Sequence, residues 1–308
     1  MYIKKGIAML KLLIILMVLM SLFFLYVIMI APRVFGRPGY EPFLGHLYAH
    51  RGLHDNNTEA VENSVPAFRR AVENGFGIEA DVRLTKDGKL VVFHDEMLTR
   101  LARKEDENGK RFKVYGKVSD YDFEELKSFF LLDSNERIPG FDEFLDEVSG
   151  KVPLIIEIKE ERINNEICAL VDKKLSGYNG IYCIESFNPF VLLWYRLKRR
   201  QILRGQLAEV FYRSSIDGTG RFKLFILAHL MLNFIGKPDF IAYNHKHSWE
   251  ISFNICRRLF KSLTAAWTIK SADDLIRGSS KFDIFIFDSF IPDQKLLTKY
   301  AQKTLTNS

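Results

Sequence analysis

Four short segments concentrate side chains able to move protons and hold charge: His50-Arg51, Glu79 with Asp81, His94, and Glu157 with Lys159. A spacing of two places Glu79 and Asp81 on one face of an extended strand, and does the same for Glu157 and Lys159. Three carboxylates in one pocket are costly unless a cation neutralises them, so Glu79, Asp81 and Glu157 are candidate ligands of one divalent ion. Oxygen-only ligation favours Mg2+ or Ca2+ over zinc. The imidazoles of His50 and His94, with an ordinary pKa near ~6.5, suit a reaction that deprotonates a nucleophile and protonates a leaving oxygen. Arg51 offers a planar donor fork and Lys159 a point charge, both suited to an anionic substrate. Such a set fits phosphoryl chemistry, in which metal and cationic donors stabilise charge on the transferring oxygens.

The elements that must position these groups read as an α/β chain. Short apolar runs alternate with helical patterns, the form of a parallel sheet wrapped by helices. Strands are expected at Leu47 to His50, Gly77 to Leu84, Leu90 to Phe93, Pro153 to Ile158, Ile181 to Ser186, Ile202 to Leu207, Asp239 to Tyr243, Leu263 to Trp267 and Asp283 to Phe287. Thr85 to Gly88 is too short for a parallel crossover, so the second and third strands form an antiparallel hairpin. Pairing Leu84 with Lys89 would set Asp81 opposite Val92 and Glu79 opposite His94. Eight parallel strands then remain, enough for a TIM-like (β/α)8 barrel, whose active site lies at the carboxyl ends of its strands. Ser64 and Ser271 are expected helix N-caps, with Gly75 ending the first helix, and Ser248 is expected to cap Trp249 to Phe260. The charged stretch Arg103 to Lys113 and two helical patterns, Phe123 to Phe130 and Phe141 to Val148, read as an insertion over about 95–150, a cap and not a second core.

At 308 residues, 47% hydrophobic and 27% charged, the chain is too apolar to be disordered. Its net charge of +6 arises from interspersed basic and acidic residues with no long basic block, which argues against nucleic acid as a partner. Cys168, Cys183 and Cys256 stand far apart, in neither a zinc nor a disulfide pattern, and read as small core residues. Leu12 to Ala31 carries no charge and reads as one uncleaved membrane anchor (1–31), followed by a connector (32–45) and the barrel domain (46–308). Lys4, Lys5 and Lys11 against Arg33 and Arg37 favour a single-pass protein of the cell membrane with an outward-facing domain. Phe222 to Ile235 is too short to span a membrane and reads as an outer barrel helix, or else as a surface that dips into the bilayer. His245 and His247 have no nearby carboxylate and read as loop histidines.

The motifs His50-Arg51-Gly52, Glu62-Asn63-Ser64 with Ala67-Phe68, Ile78-Glu79-Ala80-Asp81-Val82, Thr85-Lys86-Asp87-Gly88, Val91-Val92-Phe93-His94-Asp95 and Ile156-Glu157-Ile158-Lys159 together resemble the glycerophosphodiester phosphodiesterase family. Ile138-Pro139, Glu185-Ser186-Phe187 and Ala266-Trp267-Thr268-Ile269 resemble its later motifs. The resemblance implies hydrolysis of a small glycerophosphodiester to an alcohol and glycerol 3-phosphate, with one divalent metal on Glu79, Asp81 and Glu157. It further implies that His50 and His94 are the acid/base pair and that Arg51 and Lys159 contact phosphate. Trp267, at a strand end, is expected to touch the glycerol or alcohol moiety. The chain departs from the pattern at Val61, at Lys270 and at Asp288-Ser289-Phe290, departures expected to bear on substrate choice. Rival readings are a phosphodiesterase acting on lysophospholipid or anionic polymer headgroups, and a non-catalytic membrane-anchored binding protein.

Overall fold

The structure is a computed structural model that describes residues 2–160, 166–210, 218–293 and 296; the end of the expected barrel domain, 297–308, lies outside the described residues. In chain order the strands are β1 (Leu47–His50), β2 (Gly77–Leu84), β3 (Leu90–Val92), β4 (Ala102–Glu105), β5 (Arg111–Lys113), β6 (Phe130–Leu131), β7 (Leu154–Ile158), β8 (Tyr182–Ser186), β9 (Arg204–Ala208), β10 (Phe240–Asn244), β11 (Leu263–Ile269) and β12 (Ile284–Phe287). The helices are α1 (Tyr2–Ile30), α2 (Val65–Glu73), α3 (Phe123–Ser128), α4 (Phe141–Val148), α5 (Glu166–Leu175), α6 (Pro189–Lys198), α7 (Gly218–Ala228), α8 (Asn233–Gly236), α9 (Ile251–Arg258) and α10 (Ala272–Gly278).

β1 pairs in parallel with both β2 and β12, which closes β1, β2 and β7 to β12 into an eight-stranded parallel barrel. Covered on both faces, its strands are almost continuously buried, which is why they read in the sequence as apolar runs and not as alternating ones. Phe68, Ile78, Ile156, Tyr195 and Phe285 belong to the layer between strands and helices, and Tyr48, Ile155, Cys183, Phe240 and Ile284 to the barrel interior.

The hairpin forms with a register one residue from the expected one. Leu84 pairs with Leu90 and Val82 with Val92, because the loop runs from Thr85 through Lys89. The Thr85 N–H donates to the Lys89 carbonyl (2.9 Å), the Thr85 hydroxyl accepts the Lys89 N–H (2.9 Å), and the same hydroxyl donates to Asp87 (2.6 Å). Asp81 therefore receives the N–H of Phe93 on its carbonyl (3.0 Å), and His94 follows just beyond the ladder instead of opposite Glu79.

Three further expectations change. The insertion carries an apolar cluster of its own, Leu98, Leu101, Val118, Leu126, Leu131 and Ile138, beneath the small sheet β5-β4-β6 and against Val91 and Phe93. The charges interleaved among those aliphatic residues hide this core in the sequence. Phe141 and Phe144 of α4 join the main core against α2, so that helix serves the barrel wall. Ser64 and Ser271 cap their helices as expected, whereas Ser248 accepts from Lys281 Nζ (3.0 Å) and α9 begins later, after Glu250.

The segment 31–46 is packed, not slack. Arg33 donates to the Arg200 carbonyl (2.9 Å) and pairs with Asp239 (3.3 Å), and Arg37 donates to the carbonyls of Lys261 (2.7 Å) and Phe260 (3.0 Å). These partners precede β9, β10 and β11, so the segment crosses the amino-terminal face of the barrel. Phe43 enters the interior there, and its carbonyl accepts from the Tyr48 hydroxyl (3.0 Å).

Candidate active site

Interior positions change character along the barrel. Tyr48, Ile155 and Cys183 line its lower part, and two residues further along the same strands stand His50, Glu157 and Glu185. Parallel register aligns His50 with Glu79, and Asp81 with Glu157 and then Glu185 across three neighbouring strands. Leu207, Trp267 and Ile286, from β9, β11 and β12, supply an apolar wall. The resulting cavity, about 420 Å³, is thus ionic on one side and apolar on the other.

The structure brings every sequence-predicted site residue to this place. His50, Arg51, Glu79, His94, Glu157, Lys159 and Trp267 line the cavity. Asp81 sits just beneath, and ligand oxygens of Glu79, Asp81 and Glu157 all lie within 4.8 Å of one another. Among the described residues this is the one cluster of metal-ligating side chains that close. Lys159 Nζ lies 2.7 Å from Glu157 and 3.1 Å from Asp81, while Arg51 contacts Glu62 (2.6 Å) and Asp81 (3.4 Å).

These cations do not balance the acids. Four buried carboxylates, Glu79, Asp81, Glu157 and Glu185, face Lys159 and an Arg51 that is shared with Glu62. Burial pushes Glu79 well above the usual carboxylate range, and Asp81, Glu157 and Glu185 push it further. Burial would raise Asp81 too, but Lys159, His94 and Arg51 hold it well below its ordinary value. Glu157 is raised by burial against the pull of Lys159. Glu79 Oε1 is buried without a hydrogen-bond partner, and Asp81 Oδ1 meets only the Lys159 ammonium (3.1 Å). An unpartnered hard oxygen in a net-negative carboxylate cluster fits a divalent cation.

Each histidine is held by an aspartate on the same ring nitrogen. His50 Nδ1 lies 3.1 Å from Asp288 and His94 Nδ1 lies 2.6 Å from Asp95, which leaves Nε2 of both for chemistry. Burial, with Arg51 adding to it, pulls His50 down to about 4, so it is neutral near pH 7. Sequence reasoning gave no site role to Asp95, Glu62, Arg100 or His54 and did not identify Asp288 as the partner of His50. Arg100, from the insertion, donates to Glu62 (2.6 and 2.7 Å) and to Asp95 (2.5 Å), and so ties the insertion to the site. The signal for Glu62 and Asp95 lay inside the quoted motifs; Arg100 sits in a charged stretch with none. Lys270 and Asp288, expected to bear on substrate choice, both line the cavity and approach each other (3.8 Å) beside His50. His245 and His247 stay outside the cavity.

The turn after β1 is set by backbone geometry. Arg51 and Gly52 both have positive φ (58° and 80°), and a Cβ on Gly52 would fall 2.8 Å from the Ala67 backbone at the start of α2. Gly52→Ala should therefore cost roughly 2–4 kcal/mol by strain and overpacking, measured as a lower denaturant midpoint.

Residues 50–263 match the glycerophosphoryl diester phosphodiesterase family. The chain belongs to that family. A Bacillus altitudinis protein named glycerophosphodiester phosphodiesterase is 38% identical over 120 residues, 37% of this chain and 44% of that one. The chain thus matches under half the length of this curated relative. The glycerophosphodiester phosphodiesterase structure from Thermotoga maritima aligns with 79% of this chain and 95% of its own, at 25% identity and TM-score 0.58. An Oleispira antarctica phosphodiesterase solved with the product sn-glycerol-3-phosphate shares the fold at 21% identity and TM-score 0.61, covering 86% of this chain and 96% of its own. The family match, 50–263, takes in His50, Arg51, Glu79, Asp81, His94, Glu157 and Lys159.

Proposed function

We propose that this chain is a metal-dependent glycerophosphodiester phosphodiesterase releasing an alcohol and glycerol 3-phosphate. The observation that carries the reading is the meeting, in one cavity, of a buried acidic trio with two aspartate-held imidazoles. Glu79, Asp81 and Glu157 would hold the cation, Mg2+ or Ca2+. When bound, it would supply positive charge to offset the charge that develops on the phosphoryl oxygens.

The protein's own groups account for the proton transfers. The glycerol 2-hydroxyl is already tethered near phosphorus, so its attack avoids the entropy of capturing an external nucleophile. One histidine accepts the hydroxyl proton as the new P–O bond forms. The other donates a proton to the departing alcohol oxygen as the old P–O bond breaks, leaving a cyclic phosphate. Water then attacks with the roles reversed, which opens the ring to glycerol 3-phosphate. Because both rings are fixed through Nδ1, both present Nε2, and the pair can exchange roles without moving. Arg51 and Lys159 offset phosphate charge from the cavity wall, and Trp267 packs on the glycerol or alcohol moiety.

The test is glycerol 3-phosphate release from several glycerophosphodiesters, with and without chelator. Release that stops with chelator and returns with Mg2+ or Ca2+ is expected; release indifferent to chelator, or none from any diester, would sink the reading. Asp288→Asn, which keeps shape but removes the charge that orients His50, should lower kcat roughly 10–100-fold and shift the pH profile, with Tm little changed.

We also propose that α1 is a membrane span that makes this a single-pass membrane protein with its barrel outside the cytoplasm. The most apolar 18 residues within Lys5–Ile30 have mean hydropathy 3.0 and only 6% of them are buried, a composition a signal sequence can share. Resistance of the intact chain to carbonate extraction tests the span.

A further inference from the structure

We propose that the cavity mouth of the barrel faces the bilayer, on a surface built from the base of α1, α7 and the loop before α9. This rests on the reading of α1 as a membrane span. The direction of α1 carries it. The Ile30 carbonyl lies 3.3 Å from Cys256 Sγ and accepts from Asn233 Nδ2 (2.9 Å), while Tyr26 reaches Ser252. A step from residue 26 to 30 along α1 therefore matches a step from 252 to 256 along α9, and the two helices run the same way. Helix α9 leaves the carboxyl end of β10 and leads to the amino end of β11, so it runs from the cavity face to the opposite face. Followed backward, α1 must rise past the cavity face.

Residues 5–25 are all exposed, and at 1.5 Å per residue they cover about 30 Å, the thickness of a hydrocarbon core. Lys11 lies within that length and has a stem long enough to snorkel. Tyr26 then sits at the level of the headgroups, where aromatic residues concentrate.

The rim beside α1 is apolar in a way the barrel's packing does not explain. Phe222 is 69% exposed and Phe225 53% on α7, and Trp249 is 64% exposed and Ile251 69% at the start of α9. Helix α7 is fixed to this rim because its Ala228 carbonyl accepts from the Tyr243 hydroxyl (2.8 Å) and His229 meets Glu250 (3.4 Å). The expected single helix over Phe222 to Ile235 breaks at Leu230, which has positive φ, so α8 packs on the wall while α7 keeps its phenylalanines outward. Exposed Arg221 and Lys223 flank those phenylalanines, a combination suited to an anionic lipid surface. A glycerophosphodiester that keeps one acyl chain in the bilayer would reach the cavity without leaving the membrane.

The full chain, reconstituted in phosphatidylglycerol and phosphatidylcholine vesicles, tests this through single added cysteines carrying a bimane fluorophore. The native Cys168, Cys183 and Cys256 are buried and should stay unlabelled. Doxyl-labelled lipid should quench Phe225→Cys and Trp249→Cys, but not Phe35→Cys or Ile181→Cys, which are exposed at the opposite face. Quenching at the latter pair, or at none of the four, overturns the orientation whether or not the protein turns over any diester. Phe222→Ser/Phe225→Ser should lower hydrolysis of a vesicle-borne lysophospholipid several-fold and leave hydrolysis of soluble glycerophosphocholine unchanged. Equal effects on both substrates would overturn access from the membrane. An enzyme inert toward both substrates while rim quenching persists would count against the activity and not against the orientation.

Discussion

Replacing His94 by alanine lowers kcat by roughly 10^2 to 10^4, and replacing His50 does the same, the range expected for loss of a general acid or base. Neither change should unfold the barrel. His94 has 31% of its side chain exposed, and Asp95 keeps Arg100 as a partner at 2.5 Å once the imidazole is gone. His50 is more enclosed, but Asp288 keeps the Ser289 hydroxyl (2.5 Å) and the approach of Lys270. The measurements are steady-state kcat with a soluble glycerophosphodiester and Tm of each variant. Undiminished kcat in both would remove the histidines from the mechanism, and the fixed Nδ1 contacts would then be structural.

Glu79→Gln is expected to separate stability from function. Removing one of three ligand carboxylates should weaken metal affinity by roughly 100-fold or more, beyond the 10–100-fold typical when only a supporting partner is lost. Turnover should fall with it. The metal-free protein, however, should become more stable, because Gln removes a buried acid that its neighbours force upward. With its folded pKa above the unfolded one, Glu79 binds its proton more tightly in the native state. The stability that Glu79 contributes to the metal-free protein therefore declines as pH rises from about 4 through the raised value, against the rise that His50, held down to about 4, contributes up to about 6.5. The variant should lose part of that slope. Glu185, raised well above its ordinary range by burial and by Glu157, and Glu157, itself raised by burial, keep their share of it. Near pH 7.5 the metal-free Tm should rise by roughly 2–6 °C, from 1–2 kcal/mol of relieved burial cost in a chain of this size. Added Mg2+ or Ca2+ should raise Tm in the natural protein and much less in the variant. A metal-free variant less stable than its parent would mean that Glu79 is held by contacts other than a cation.

Much of this was legible before any coordinates. The alternation of apolar runs and helical patterns announced eight parallel strands, and i,i+2 spacing placed Glu79 with Asp81 and Glu157 with Lys159 on inward faces. Side-chain period in a strand is two whatever the tertiary context, so that inference is robust. The hairpin register was not legible, because it turned on whether the Thr85 hydroxyl would recruit Lys89 and lengthen the loop by one residue. Nor were the partners of the histidines. Asp288 is 238 residues from His50 in the chain, and only closure of β1 against β12 brings them together. Arg100 escaped for a different reason: a guanidinium in a charged stretch looks solvated until two acids, here the buried Glu62 and the half-buried Asp95, are seen to claim it.

The segment between the apolar helix and the first strand is the floor of the barrel as much as a tether. Phe43 closes the interior from below, and Arg33 and Arg37 rivet the chain to three successive loops. A soluble form made by trimming the chain at Leu47 would open that floor to water. One begun at Pro32 keeps the stopper, so the choice of first residue decides whether an isolated barrel is sound or leaky.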